Sequence, residues 1–444
     1  MAGSSFLSRL LGRLRPGVDQ RTQHLVSLCE ALLGERGEVS GAALARDALA
    51  AYRALDERGR EEFFDILASE FAPSPEAVGK AADAYRYDPT PANLIRLQEL
   101  IDSARQELFR RLNMAQGGTE ALVAMRGELL RGLNKHPQWR AVDADLLHLF
   151  RSWFNRGFLR LERIDWRTPA IVLEKLIQYE AVHAVQGWRD LRRRLEGDRR
   201  CFAFFHPQLR DEPLIFIEVA LTRGVAAQVQ PLLDINSPVA AAAQADCAIF
   251  YSITNCQEGL RGTSFGNLLI KQVAEDLKRE LPQLRTFATL SPIPGFRRWL
   301  DSTEARVRLS MGPNSEARLA LLSSIEQPGW HTREVPEPLH KLLLRLCAWY
   351  LLHAKSGAEP LDPVARFHLG NGAALARLNW FGDTSESGMA RSAGLMVNYV
   401  YRLEDVERNH ERYFAEHAVV ASRAVEKLAR KSPLAIPQEK GVEA

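Results

Sequence analysis

The chain has 444 residues, a length that predicts about two domains rather than one or four. Hydrophobic residues make up 46% and charged residues 25% of the sequence, values typical of globular proteins that exclude a disordered, collagen-like or coiled-coil chain. The 58 Lys and Arg residues against 55 Asp and Glu residues give a net charge of +3, and so small an excess argues against a dedicated nucleic-acid-binding protein.

The five cysteines are spread along the chain without a C-x-x-C pair or a cysteine–histidine spacing suited to zinc. This usage predicts a reducing compartment and no metal site. No uninterrupted apolar stretch approaches the ~20 residues that cross a bilayer. We therefore expect a soluble intracellular protein that does not contact a membrane.

Residues 1–16 combine serine and arginine with a series of leucines and contain no acidic residue. This composition fits either the flexible N-terminus of a bacterial protein or a short mitochondrial presequence. Because the whole chain is rich in arginine and alanine, we favour the bacterial interpretation. The expected location is the cytoplasm, with the mitochondrial matrix as the alternative.

The spacing of apolar residues is helical up to about residue 195. Thr90 can cap a helix with Pro91 at its first position, and apolar residues then recur every three or four positions to Leu112. This pattern predicts one helix with one apolar stripe. Further helices are predicted to begin at Thr119, to cover 143–154 and to begin at Pro169. Their short connections favour an antiparallel bundle that supports the protein or mediates oligomerisation.

Near residue 200 the pattern changes to short apolar runs typical of strands. Strands are predicted at 201–205, 214–221, 248–253 and 286–290, with a turn at 210–213. A turn with glycines and an amphipathic helix over 264–280 join the last two strands, an arrangement suited to binding anions at the helix N-terminus. Later helices are predicted over 295–301, 313–325, 336–351 and 387–430, and strands near 364–369 and 374–381.

The segment Gly259 to Asn267 is the first candidate binding site. Glycines at positions 259, 262 and 266 allow a bulky anion to approach the backbone, while Arg261 adds positive charge. Thr263 or Ser264 can cap the following helix. The spacing matches neither a Walker loop nor the dinucleotide-binding fingerprint. It fits either a phosphate-binding loop or a glycine turn that only packs the helix on the strand.

Ser291 is the second candidate, in the segment TLSPIPGF. The prolines at 292 and 294 fix the backbone directly after a predicted strand, so Ser291 lies at a carboxyl strand end, where open α/β sheets bind ligands. The sequence has no G-x-S-x-G elbow and no Asp and His in hydrolase order, which disfavours a covalent acyl-enzyme. The structural alternative is a hydroxyl that caps the following turn.

Among the eleven histidines, His368 is the best candidate for an acid or base. It follows an apolar run and precedes two glycines, a position typical of a residue that lines a site. The other ten lie in helical patterns or near loops, and we interpret them as structural. Neither paired-carboxylate chemistry nor an H-E-x-x-H zinc site has support in the sequence.

These candidates lie within a longer series of motifs that occur in a fixed order. The series comprises YSITNCQEGLRGTSFGNLLIKQ, TFATLSPIPGFRRWL, LCAWYL, DPVARFHLGNGA, LNWFGD and GLMVNYVY. From about residue 200 to 425 the sequence closely resembles the malonyl-CoA decarboxylase family. The helical half resembles the helical domain of that family more loosely.

The resemblance implies an α+β fold, in which an N-terminal all-α helical bundle precedes a mixed α/β catalytic domain of GNAT-like fold. The expected domains are 17–195 for the helical domain and 196–432 for the catalytic domain. A flexible N-terminus at 1–16 and a loose tail at 433–444 flank them.

The resemblance also implies that Ser291 and His368 are the catalytic serine and histidine. The phosphates of an acyl-CoA would lie on the loop formed by Arg261, Gly262, Thr263, Ser264, Phe265, Gly266 and Asn267. The sequence departs from the expected pattern in two respects. The loop lacks the usual acetyltransferase spacing Q/R-x-x-G-x-G/A, and Ser264 stands where the animal enzymes are expected to have glutamate.

The implied activity is that of a carboxy-lyase of malonyl-CoA and fatty-acid metabolism, which converts malonyl-CoA to acetyl-CoA and CO₂ through a thioester enolate protonated at C2. Because the thioester carbonyl accepts the electron pair, we expect no cofactor and no metal, and CoA is part of the substrate. A homodimer or homotetramer is expected. The alternatives are an acyl-CoA-dependent N-acetyltransferase on the same fold and a non-catalytic CoA-binding scaffold.

Overall fold

The computed structural model describes residues 17–35, 37–263, 269–311 and 313–435. The chain forms two compact units. The described residues up to Arg160 belong to the first unit, together with Phe205–Leu214 and the described part of 255–265. The second unit holds Leu161–Phe204, Ile215–Thr254 and the rest of the described chain. The predicted boundary near residue 195 stays a prediction.

The first unit is built from helices, as the sequence predicts. These helices are α1 (Gln20–Gly34), α2 (Glu38–Arg53), α3 (Glu57–Ser69), α4 (Pro75–Tyr87), α5 (Pro91–Ile101), α6 (Ala104–Leu112), α7 (Gly118–Gly132) and α8 (Arg140–Trp153). Side-chain caps begin several of them: Asp56, for example, accepts a hydrogen bond from the Gly59 amide. Phe63, Phe109 and Phe150 are fully buried in the core that these helices enclose.

The single helix predicted from Pro91 to Leu112 is wrong. Thr90 caps α5 as expected, but α5 ends at Ile101. Ser103 then begins a new helix because its hydroxyl accepts a hydrogen bond from the Gln106 amide at 3.2 Å. α5 itself has no buried residue, so its apolar residues remain at least partly exposed.

The chain also forms a mixed sheet, most of whose residues belong to the second unit. Its strands are β1 (Arg160–Ile164), β2 (Arg199–His206), β3 (Leu209–Thr222), β4 (Cys247–Asn255), β5 (Thr286–Thr289), β6 (Ser291–Pro292), β9 (Ala374–Asn379) and β10 (Met396–Val400). The hydrogen-bonded order of the strands is β1-β2-β3-β4-β5-β10-β6, and β9 also pairs with β10. A separate hairpin joins β7 (Lys355–Ser356) and β8 (Glu359–Pro360).

The middle of the sheet contains both a parallel and an antiparallel pair of strands. β4 and β5 are parallel, with Ile249 opposite Ala288, and the helix Leu269–Glu280 lies between them in sequence. β10 is antiparallel to β5, with Val400 opposite Ala288. This mixture of parallel and antiparallel pairs fits the α+β fold class, with a helical N-terminal part and a mixed α/β part after it. The core on one face of the sheet includes Ile249, Leu290 and Met396.

The helices of the second unit fill the connections between the strands. They are α9 (Ala170–Tyr179), α10 (Trp188–Arg194), α11 (Gln230–Leu233), α12 (Leu269–Glu280), α13 (Phe296–Leu300), α14 (Thr303–Leu309), α15 (Ser315–Ser323), α16 (Glu337–His353), α17 (Pro363–Gly370), α18 (Glu386–Ser392), α19 (Val406–Glu416) and α20 (Arg423–Arg430). The first five residues of the helix predicted from 264 to 280 lie outside the described residues.

Three further local predictions are wrong. The predicted turn at 210–213 lies inside β3, whose residue Asp211 has a φ of 56°, and the chain instead turns at 207–208. The strand predicted near 364–369 is helix α17, because Asp362 caps it and Pro363 occupies its first position. The long helix predicted over 387–430 is interrupted by β10, since residues 393 and 394 adopt left-handed φ values that end α18.

The described residues contain no helix that is both long enough and apolar enough to cross a bilayer. All five cysteines are buried, and no disulfide bond joins any of them to another described residue. No group of three or more His, Cys, Asp and Glu side chains is arranged to hold a metal ion in the described ranges.

Candidate active site

Ser291 lies in the two-residue strand β6, which is separated from the end of β5 by a single residue. β6 pairs antiparallel with β10, which places Ser291 opposite Val397 and Pro292 opposite Met396. Only 5% of the Ser291 surface is exposed. The serine therefore occupies the strand end that the sequence predicts, and the sheet holds its backbone.

His368 lies in the last turn of α17, and Asp362 begins that helix. Oδ1 of Asp362 accepts hydrogen bonds from the amides of Val364 and Ala365, both at 3.0 Å. Its Oδ2 accepts a longer bond of 3.4 Å from the Gly295 amide. One carboxylate thus fixes both the helix that carries the histidine and the segment that follows the serine. The pKa of Asp362 is raised above its usual value, because the effect of burial outweighs the opposing effect of its hydrogen bonds.

The structure brings the two candidate catalytic residues into contact. Oγ of Ser291 lies 2.9 Å from Nε2 of His368. His368 is 3% exposed, and burial lowers the pKa of its imidazole to about 3. The ring is therefore neutral near pH 7, so one nitrogen carries a proton and the other accepts a hydrogen bond.

Two residues without an assigned role in the sequence analysis complete this contact. The hydroxyl of Tyr401 lies 2.8 Å from Nδ1 of His368, and Ser291 donates a hydrogen bond of 2.8 Å to Oγ1 of Thr289. Tyr399 stacks its ring on His368, with centroids 4.6 Å apart. The sequence could have indicated the contact of Thr289 with Ser291, because residues two apart on an extended strand share a face. It could not have indicated the contact of Tyr401 with His368, since that contact depends on how the chain at the end of β10 packs against α17.

The hydrogen-bond partners determine which ring nitrogen carries the proton. A phenol is a better donor than acceptor beside a neutral imidazole, so Tyr401 donates to Nδ1 of His368. Nε2 then carries the proton and donates a hydrogen bond to Oγ of Ser291, whose own hydroxyl donates a hydrogen bond to Thr289. The result is a directed chain of hydroxyl and imidazole donors that places an N–H group of a buried neutral histidine beside Ser291.

The structure describes three residues of the candidate CoA loop, Arg261, Gly262 and Thr263, which belong to the first unit. Arg261 is exposed, and Gly262 has a φ of 80°, a left-handed value that favours glycine. Oγ1 of Thr263 is buried and has no hydrogen-bond partner among the described residues. The other predicted loop residues, Ser264, Phe265, Gly266 and Asn267, lie outside the described residues.

Comparison with known proteins gives two family matches. Residues 71–154 match the malonyl-CoA decarboxylase N-terminal domain, and residues 157–439 match the malonyl-CoA decarboxylase C-terminal domain. The chain is also 37% identical over 406 residues to the mitochondrial malonyl-CoA decarboxylase of Anser anser anser, a match that covers 84% of this chain and 81% of the relative. The chain belongs to the malonyl-CoA decarboxylase family.

Two solved malonyl-CoA decarboxylase structures share the fold over most of the chain. The enzyme from Rhodopseudomonas palustris is 50% identical with a TM-score of 0.86, and the match covers 91% of this chain and 99% of that one. The enzyme from Agrobacterium vitis is 47% identical with a TM-score of 0.82, with the same coverage. The mitochondrial malonyl-CoA decarboxylase of Mus musculus is 37% identical over 356 residues, covering 74% of this chain and 72% of the relative. These matches confirm the family expected from the sequence motifs.

Proposed function

We propose that this chain converts malonyl-CoA to acetyl-CoA and CO₂, with Ser291 and His368 as catalytic residues. Family membership supports the reaction, and the single observation that carries the mechanism is the 2.9 Å contact between Ser291 Oγ and His368 Nε2. This pair is buried in the second unit, where Tyr401 is hydrogen-bonded to His368 and Thr289 is hydrogen-bonded to Ser291.

The reaction has two steps that need help from the protein. When the C2–carboxylate bond breaks, CO₂ leaves. The electron pair of that bond remains on C2 and delocalises into the thioester carbonyl, which gives an enolate. One proton must then be delivered to C2 to give acetyl-CoA. Because the thioester is the electron acceptor, the chemistry requires no other cofactor and no metal. The protein has to orient the malonyl group, stabilise the enolate oxygen with hydrogen-bond donors and supply the proton.

His368 supplies that proton in the proposed mechanism, and Ser291 hydrogen-bonds the malonyl group and relays protons with it. A thioester enolate is a stronger base than the imidazolate anion that forms when a neutral imidazole loses its N–H proton, so an uncharged histidine is an adequate donor. Neutral histidines act as electrophiles in other enzymes for the same reason. We disfavour nucleophilic attack by Ser291, because an acyl-serine would lose the thioester that stabilises the enolate.

Arg261 and the residues after it, Gly262, Thr263, Ser264, Phe265, Gly266 and Asn267, bind the CoA phosphates in this proposal. The exposed Arg261 guanidinium supports such a role, as does the buried Thr263 hydroxyl, which has no hydrogen-bond partner among the described residues, because both are donors at the start of the loop. The glycines let the phosphate approach the backbone.

We further propose that the chain forms a homodimer or homotetramer through its helical unit. On α5, Leu94, Ile95 and Ile101 are 37%, 54% and 52% exposed, an apolar surface that favours contact with a second copy. For location we propose the bacterial cytoplasm, with the mitochondrial matrix as the alternative.

Incubation of the purified protein with malonyl-CoA and EDTA, followed by mass spectrometry, tests the proposed function. We expect acetyl-CoA to accumulate without any acceptor amine and without metal. An N-acetyltransferase would need an amine acceptor, and a non-catalytic scaffold would bind CoA without turnover. Intact malonyl-CoA at the end of the incubation would rule out the decarboxylase.

A further inference from the structure

A buried arginine of the helical unit binds the backbone at the start of the candidate CoA loop. Arg126 lies on α7 and is 2% exposed. Its Nη1 donates to the carbonyl oxygens of Gly259 at 2.7 Å and Arg261 at 2.8 Å. Its Nε donates to the carboxylate of Asp143 at 2.8 Å. All four residues belong to the first unit, and one guanidinium fixes two carbonyl groups within the three residues that precede Gly262.

The backbone of this segment lies against α7 more closely than a side chain would allow. A Cβ atom at Gly259 would be 1.9 Å from the carbonyl oxygen of Val123. Nearby, Arg131 donates to the carboxylate of Glu258 at 2.7 Å. The segment that precedes the loop is therefore built on the surface of α7.

The arginine also selects the conformation of one particular peptide. Residues 260–263 form a type II turn: Arg261 has φ −55° and ψ 129°, Gly262 has φ 80°, and the Thr263 amide donates to Leu260 at 2.9 Å. In a type I turn the central peptide is flipped, so its carbonyl would point away from Arg126. The bond from Arg126 to the Arg261 carbonyl thus favours type II.

The direction of this carbonyl determines the direction of the next amide. In a trans peptide the C=O and N–H groups point in opposite directions, so the Gly262 N–H points away from Arg126. Backbone amides presented in this way by a turn form binding sites for anions. An apolar side chain at position 126 could fill the same space on α7 but could not hold the peptide in this orientation.

We propose that Arg126 is a positioning residue for malonyl-CoA, which sets the direction of the Gly262 amide and presents the start of the loop to the CoA phosphates. The inference rests on the proposed function, in which this loop binds those phosphates. It gives the helical unit a part in substrate binding in addition to support and oligomerisation.

The chain offers a matched control in Arg105, which is 3% exposed and also belongs to the first unit. Its Nε donates to Asp145 at 2.8 Å, and its Nη1 donates to the carbonyl oxygens of Leu67 at 2.9 Å and Ala68 at 3.3 Å. The two arginines have the same types of partner, but Arg105 binds α3 instead of the loop. Any effect of losing a buried arginine as such should therefore be common to both.

The experiment compares Arg126→Met and Arg105→Met with two substrates, malonyl-CoA and malonyl-pantetheine, which has the same thioester but no nucleotide phosphates. We expect Arg126→Met to raise the KM for malonyl-CoA about tenfold with a smaller change in kcat. The kcat/KM for malonyl-pantetheine should fall no further than it does in Arg105→Met. Thermal unfolding of both variants measures the loss of stability that they share.

Two results would overturn the positioning role. One is an equal rise in KM for both substrates in Arg126→Met, which would indicate a general structural defect. The other is the same selective rise in Arg105→Met. If Arg126→Met does not fold, Asp143→Asn and its control Asp145→Asn provide the same comparison, since each weakens the partner of one arginine without removing the arginine.

Calorimetric titration of the wild-type protein with CoA and with pantetheine separates this inference from the proposed reaction. If CoA binds no more tightly than pantetheine, the loop does not hold phosphates and the positioning role is wrong. If CoA binds more tightly but malonyl-CoA is not decarboxylated, only the proposed reaction fails. The relative CoA affinities of Arg126→Met and Arg105→Met then decide the positioning role.

Discussion

The hydroxyl of Tyr401 lies 2.8 Å from Nδ1 of His368, while the other ring nitrogen contacts Ser291. Because the tyrosine donates to Nδ1, it keeps the imidazole proton on Nε2, where the serine is. Tyr401 is 1% exposed and burial raises its pKa well above the usual range, so it remains a protonated donor. In the proposed mechanism, this relationship sets the direction of proton transfer in the site.

Replacing either Ser291 or His368 by alanine should reduce kcat at least ~100-fold, because both take part in proton transfer. The double variant should be little slower than the worse single variant, since residues that act as one unit have non-additive effects. Steady-state kinetics with malonyl-CoA measures the rates, and circular dichroism controls for folding. A near-normal rate in a folded single variant would remove that residue from the mechanism.

Tyr401→Phe should lower kcat by about 10–100-fold with little change in KM, because the imidazole loses the donor that keeps its proton on Nε2. Tyr399→Phe is the matched control. Tyr399 stacks on the same ring, but its hydroxyl is buried without a hydrogen-bond partner among the described residues. Its removal should change kcat no more than about twofold. Equal losses in the two variants would contradict the role given to the Tyr401 hydroxyl.

The stability of the protein should depend on pH through His368. Its pKa is about 3 in the folded protein and about 6.5 when unfolded, so only the unfolded chain takes up the proton between these values. The contribution of the neutral ring is complete above pH 6.5 and is lost as the pH falls towards 3. At pH 4.5 the loss should be on the order of 2 kcal/mol.

Urea unfolding of the wild type and of His368→Gln from pH 7.5 to 4.5 measures this contribution. All other titrating groups are common to the two proteins, so the difference between their slopes isolates the histidine. We expect the free energy of unfolding to fall more steeply in the wild type. Parallel curves would show that the histidine is not held neutral by burial.

Gly295→Ala should destabilise the protein by about 1–3 kcal/mol, because the new Cβ would lie 2.3 Å from the hydroxyl oxygen of Tyr350. The displaced backbone would also disturb Ser291 and lower kcat. Tyr350→Phe removes the clashing oxygen, so the double variant Gly295→Ala/Tyr350→Phe should regain part of both losses. Thermal unfolding and kinetics of the four proteins form the test, and strict additivity of the two changes would disprove the predicted clash.

Arg261→Ala should raise the KM for malonyl-CoA and leave kcat nearly unchanged, because a phosphate contact contributes equally to the ground state and the transition state. The exposed Arg210 is a suitable control for the loss of one positive charge. We expect Arg210→Ala to have the wild-type KM. A loss confined to kcat in Arg261→Ala would contradict the proposed contact.

Local sequence signals predicted the elements that have strong local causes. Thr90 and Pro91 correctly marked the start of α5. The continuous apolar run of β4 was enough to locate that strand, although it lacks the alternation of apolar and polar residues. The same local reasoning failed for β10, which lies within a stretch of helical pattern. There, burial of Met396, Val397 and Tyr399 between neighbouring strands outweighs the local preference.

The sequence by itself determined the family, the order of helical and mixed parts, and the candidate pair Ser291 and His368, because these depend on residue identity, apolar spacing and motif order. Only the tertiary structure decided how the pair is arranged. The contact between Ser291 and His368 joins positions 77 residues apart, and Tyr401 reaches the ring from the position directly after β10. No local pattern encodes such distances, since they result from how α17 packs on the sheet. Burial, which makes the histidine neutral, is likewise a property of the folded chain alone.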